Sequence, residues 1–170
     1  MWYVKSMPNN GDGAKAFEND IALEWMDDVG GELWTIANLE KDINEVFATW
    51  NAQRTKRRGG RGMQELRRAA AELIIMESGT SPVFSEVLVK TAISSLEELL
   101  QDKRWLKSWN DENIRDADEN LVRENISYQV SCLEAILEEA KVVEKEAKIM
   151  DISAEAEAIL RHSKLEKVTF

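Results

Sequence analysis

The chain has 170 residues, 44% of them hydrophobic and 32% charged, with a formal net charge of −10. Such an excess of acid opposes contact with nucleic acid or an anionic membrane over most of the surface and favours encounter with a basic protein partner. A single cysteine, Cys132, excludes an internal disulfide and fits a reducing, cytoplasmic setting; no apolar run reaches the about 18 residues of a membrane span, and the opening residues lack a basic-then-apolar leader.

The length fits one domain. Residues 1–18 read as irregular, with Pro8, Gly11 and Gly13 marking turns. Asn19 reads as a helix N-cap, followed by Asp20 where a negative charge suits the helix dipole. The helix Ile21–Asp28 then meets Gly30-Gly31, a stop signal. In Glu32–Trp50, Ile36, Leu39, Ile43, Val46 and Trp50 recur by steps of three and four, and Phe47 widens the stripe.

The stretch Gln53–Arg68 carries seven basic residues against one acid, Glu65, so it sums to +6 and leaves −16 for the rest. Gly59, Gly60 and Gly62 make residues 53–62 a flexible basic loop. Met63–Glu77 reads as a helix burying Leu66, Ala69, Ala70, Leu73, Ile74 and Met76. Phe84–Gln101 follows, with Val87, Leu88, Ile93, Leu96 and Leu100 on one face, and Trp105–Trp109 reads as one more turn. Asn110–Ala117 is a polar connection. From Asp118 to about Met150 the pattern is that of a long helix, with Leu121, Val122, Asn125, Gln129, Cys132, Leu133, Ile136, Ala140, Val143 and Ala147 marking one face. Asp151-Ile152-Ser153 is expected to break it and open a last helix to about Lys167, making a C-terminal helix pair over 118–167. No segment alternates like a strand. The expectation is an all-α, single-domain bundle of about six helices with a long C-terminal helix.

The stretch Gly13 to Trp25 reads G-A-K-A-F-E-N-D-I-A-L-E-W. It resembles the opening of a mainly bacterial family, domain of unknown function 4259, which typically looks like W-G-x-G-x-F-x-N-D-x-A-x-D-W. Gly13, Phe17, Asn19, Asp20, Ala22 and Trp25 match. Glu24 replaces the usual Asp, Asp12 stands at the Trp and Lys15 at the second Gly. Looser likeness extends the resemblance over residues 12–137. It implies a helical fold and little else, and no catalytic residue is carried over from it.

Asp20, Glu24 and Asp27 share one face of the first helix, a place for a basic partner group or a hard cation; a capped helix start with a solvated acidic face is the plainer reading. His162 is the one histidine, so the common zinc sets lack ligands, and Cys132 falls on an apolar face where a thiol is inert filler. No phosphate-binding glycine pattern occurs. No cofactor and no metal is expected. Of the six tryptophans, Trp25, Trp34 and Trp50 read as core, whereas Trp105 and Trp109, beside a polar connection, read as exposed interface anchors.

The expected function is therefore non-catalytic binding of a basic protein through Asp20, Glu24, Asp27, Trp105 and Trp109, a class that includes immunity and antitoxin-type inhibitors. Two alternatives stand beside it. One is a nucleic-acid accessory role for Arg54, Arg57, Arg58 and Arg61 in the stretch 54–68, with phosphates as ligands. The other is a carboxylate-based, metal-dependent enzyme using Asp20, Glu24 or Asp27.

Overall fold

A computed structural model describes residues 14–31, 34–53, 62–79, 83–110 and 118–168. Six helices follow in chain order: α1 (Asp20–Asp28), α2 (Ile36–Gln53), α3 (Met63–Ser78), α4 (Glu86–Leu100), α5 (Lys103–Ser108) and α6 (Glu119–Val168). The described residues contain no strand. The all-α bundle with a long last helix is thus observed. No helix among them is long and apolar enough to cross a membrane.

Local chemistry explains the helix starts. The Asn19 side chain accepts from the Ala22 amide at 2.8 Å, satisfying an orphan donor of α1. Ser85 does the same for Leu88 at 3.3 Å and Asp102 for Trp105 at 3.1 Å. The helix α1 ends where Gly30 and Gly31 take φ of 80° and 63°, a left-handed conformation that favours glycine.

Packing centres on α3, which touches α1, α2, α4 and α6. Ala69, Ala70 and Ala71 have no exposed surface, so their small side chains let neighbours close in from several sides. The apolar stripe of α2 enters the core through Leu39, Ile43, Val46 and Phe47; that of α4 through Leu88, Val89, Ala92, Ile93, Leu96 and Leu99. From α6 come Val122, Ile126, Val130, Leu133 and Ile136. Several side chains expected inside are outside: Ile36 is 36%, Met76 39%, Val87 74%, Leu121 49% and Val143 51% exposed, and Ala147 is exposed too. Val143 and Ala147 are exposed because the body covers α6 only as far as about residue 140.

The basic stretch is not one thing. Its residues 54–61, with Arg54, Arg57, Arg58 and Arg61, lie outside the described residues. Its last two arginines are core: Arg67 is 1% and Arg68 0% exposed. As neighbours on a helix they point about 100° apart, so each reaches a different part of the protein. Arg67 Nε donates to Ser95 Oγ at 2.6 Å and Nη2 to the Ser95 carbonyl at 2.7 Å, while its guanidinium lies 4.0 Å from the centre of the Trp50 ring. Glu98 stands 3.9 Å from the same nitrogen. Arg68 Nη2 donates to Asn125 Oδ1 at 2.8 Å and to the Ala14 carbonyl. Gln129 then bridges α6 back to α3, donating to the Arg68 carbonyl at 3.1 Å and to Glu72 at 2.9 Å. Burying a cation costs several kcal/mol unless acceptors and ring faces meet it, and the Ser95, Asn125 and Ala14 oxygens with the Trp50 and Trp109 rings are what Arg67 and Arg68 meet.

The expected break at 151–153 does not occur. The helix α6 runs unbroken for 50 residues, about 75 Å at 1.5 Å per residue. The helix pair is corrected to one helix because nothing in the stretch stops it. No glycine or proline follows Pro82, and a lone Asp or Ser inside a helix costs only tenths of a kcal/mol. Glu-to-Lys or Glu-to-Arg pairs four residues apart, Glu144–Lys148 at 3.3 Å and Glu157–Arg161 at 4.0 Å, add weak support in the favourable order.

Arg68→Met keeps the volume but leaves the Ala14 carbonyl and the Asn125 amide oxygen without this donor. It is expected to lower unfolding free energy by about 1–3 kcal/mol per acceptor, read from the urea midpoint.

Candidate partner-binding face

The residues expected to bind a partner separate in the structure. Asp20, Glu24 and Asp27 are exposed on one face of α1, as their spacing requires. Trp105 and Trp109 are not exposed. They are 9% and 1% accessible, packed edge-to-face with ring centres 5.9 Å apart. The helix α5 is six residues long and Trp109 is its C-cap, so the two indoles, four positions apart, turn to the same side. That side lies against α4 and α6, and Trp109 also lies 5.7 Å from the Arg68 guanidinium. The expectation of two exposed anchors is therefore corrected: both are core. Trp34, expected inside, is 39% exposed. Because α5 does not touch α1, the acidic face and the tryptophan pair form no common surface.

What the acidic face does adjoin is a groove of about 340 Å³ between α1, α2 and α3. Its floor is apolar, from Val29, Val46 and Met63, with half-buried Trp25 and Leu66 beside them. Three carboxylates, Asp28, Asp42 and Glu45, stand around it. Asp28 is one turn beyond Glu24, which joins this rim to the face of Asp20, Glu24 and Asp27. Asp42 is held in place: its Oδ2 accepts from the Gly30 amide at 2.6 Å. Gly30 fits there because of its left-handed φ and because a Cβ would come within 3.1 Å of the Trp34 ring. Asp42 thus ties the end of α1 to α2, and Glu45, one turn on, is exposed.

The chemistry of this arrangement is capture of a long cationic side chain. A lysine or arginine stem would lie on the apolar floor with its charged head among the carboxylates. Asp42 and Glu45 were not singled out from the sequence. They flank the buried Ile43 and Val46, but only the pairing of α2 with the end of α1 distinguishes them from the chain's other acids.

A second groove of about 310 Å³ lies between α2 and α4, lined by Phe47, Trp50, Val87, Lys90, Thr91 and Ser95. Lys90 at its edge is engaged by Glu86 at 2.8 Å, and that contact holds the Glu86 carboxyl below the usual glutamate range. The groove carries no charge pattern comparable to the first.

Catalytic geometry does not assemble around the thiol. His162 stands 30 residues beyond Cys132 on one continuous helix, about 45 Å away. The nearer neighbour of Cys132 is Tyr128, whose phenol is pushed above its usual range first by its hydrogen bond with Cys132. A phenol held protonated does not serve as a base for the thiol. Among the described residues no three of the His, Cys, Asp and Glu side chains converge as metal ligands, so Asp20, Glu24 and Asp27 lie side by side without enclosing a cation.

No family model, curated protein or solved structure matches the chain. The motif residues behind the resemblance at 13–25 have structural duties where they are described: Asn19 caps α1, Ala22 is fully buried, and Phe17 and Trp25 pack against the core.

Two carboxylates of the rim are expected to behave differently. Asp42→Ala removes an acceptor of the α1–α2 connection and should cost about 1–2 kcal/mol in urea unfolding. Glu45→Gln should stay within about 0.5 kcal/mol of the parent.

Proposed function

We propose that the chain is a non-catalytic binding protein whose partner is a basic protein. The observation that carries this reading is the groove of Trp25, Val29, Val46, Met63 and Leu66 rimmed by Asp28, Asp42 and Glu45 and continued by Asp20, Glu24 and Asp27. An apolar floor and clustered anionic heads in one place suit a protruding arginine or lysine, while the net charge of −10 speeds its approach. Trp105 and Trp109 have no part in the proposed contact. An inhibitor of the immunity or antitoxin type, covering the cationic surface of a toxin, is one member of this class and is the finer form of the proposal.

The stretch 54–68 supports a nucleic-acid role less well than its composition promises. Two of its seven cations, Arg67 and Arg68, are spent inside the core. The metal-dependent alternative rests on Asp20, Glu24 and Asp27 alone, which stay spread along one exposed face.

The test is affinity capture from the native host with the parent chain and with a Glu24→Lys, Asp28→Lys, Glu45→Lys variant of equal stability. The parent is expected to retain one stoichiometric basic protein at low salt, to lose it progressively as salt rises, and the triple variant to retain none. A partner held equally by both chains, or one of acidic charge, would sink the reading.

A further inference from the structure

The contacts of α6 with the body end near residue 140. Residues 141–162, 22 in succession, are all exposed. Seven large apolar side chains lie among them, including Val142 at 49%, Ile149 at 55%, Ile152 at 66% and Ile159 at 69%. Scattered apolar residues on a surface mean little, but four of these, Val142, Ile149, Ile152 and Ile159, are ordered. Val142, Ile149 and Ala156 recur by seven, and Lys145, Ile152 and Ile159 recur by seven three places later. This is the two-position repeat by which one helix packs along another. The seam runs on the side of α6 that also carries Ser127, Ser131, Glu134 and Glu138, all exposed, and so faces away from the body.

We propose that the occupant of this seam is the same seam of a second copy, running antiparallel about a twofold axis between positions 150 and 151. Three matches on the chain support it. First, that register sets Ile149 against Ile152 of the second copy and Val142 against its Ile159, so the isoleucines meet in the middle. Second, the flanking position Lys148 falls opposite Glu155 of the second copy, and symmetry makes the pair twice. Third, the register lays residues 139–162 on themselves, the stretch that the body leaves uncovered, over about 36 Å. A parallel pair fails on the same residues, because it would face Lys145 with Lys145 inside the seam. In the antiparallel pair Lys145 faces Ala156, which leaves room for its stem to pass outward. Two such strips bury on the order of 1,000 Å², the lower end of what a specific interface needs.

The test uses the full chain. Sedimentation is expected to show a concentration-dependent rise to twice the chain mass. Lys148→Glu and Glu155→Lys should each weaken the dimer at least tenfold, and the two together should restore it. Ile149→Glu with Ile152→Glu should give a monomer with the parent's helical spectrum and urea midpoint, since both positions lie off the core. For orientation, a spin label at Arg161→Cys in a Cys132→Ser chain should give a pair distance of about 30 Å, where a parallel pair would give about 10 Å. A chain that stays monomeric throughout, a dimer indifferent to Ile149→Glu with Ile152→Glu, charge reversals that the double variant does not rescue, a distance near 10 Å, or a different protein found on the seam of a monomeric chain would each overturn the proposal.

Discussion

Two adjacent cations inside the core set the terms for the rest of the fold. A guanidinium keeps its charge at any ordinary pH, so burial of Arg67 and Arg68 has to be met by acceptors and ring faces. The acceptors come from far along the chain: Ser95 on α4 for Arg67, Ala14 and Asn125 for Arg68. Satisfying two charges therefore fixes where α4, the segment before α1 and the first third of α6 must lie. The apolar side chains supply most of the driving force, but they are forgiving of small shifts. The arginines are not, because a planar fork of donors has few geometries that suit it.

This explains which parts of the structure were legible beforehand. Helices that start at a capping side chain and carry a three-four stripe could be read directly: Asn19 and Ser85 are caps, and Leu39, Ile43 and Val46 are core. Charge was the misleading signal. Seen in one dimension, Arg67 and Arg68 belong with Arg54 to Arg61 in a basic stretch; in three dimensions they turn inward beside three alanines of zero exposure. Trp105 and Trp109 misled for a related reason. Their neighbours in sequence are polar, yet the helix that holds them is a short plug between α4 and α6. The break expected at 151–153 failed because a weak helix former is not a helix stop. The groove was invisible because Asp42 and Glu45 gain meaning only from the turn at Gly30 that one of them binds.

The candidate site follows from the same division of labour. Where α1 ends, its last turn and α2 cannot pack completely against α3, and the gap keeps an apolar floor. Around that gap the chain spends its acids, one of them as a brace and the others facing solvent. A protein that binds rather than reacts needs little more: a shaped recess, a dominant sign of charge, and a frame stiff enough to present both. Neither Cys132 nor His162 is placed to do chemistry with the other, since a single rod keeps them apart.

That rod divides the molecule into two parts with different freedoms. Among the described residues, every side chain of the hydrophobic core lies before residue 138. From 142 to 162 no side chain is buried against the body, so cleavage or substitution within that stretch would remove no contact of the core. Substitution can wander there without endangering the body, held back only by whatever the segment touches. The folded head and its projecting arm are thus answerable to separate selection, and each can change its business while the other stays as it is.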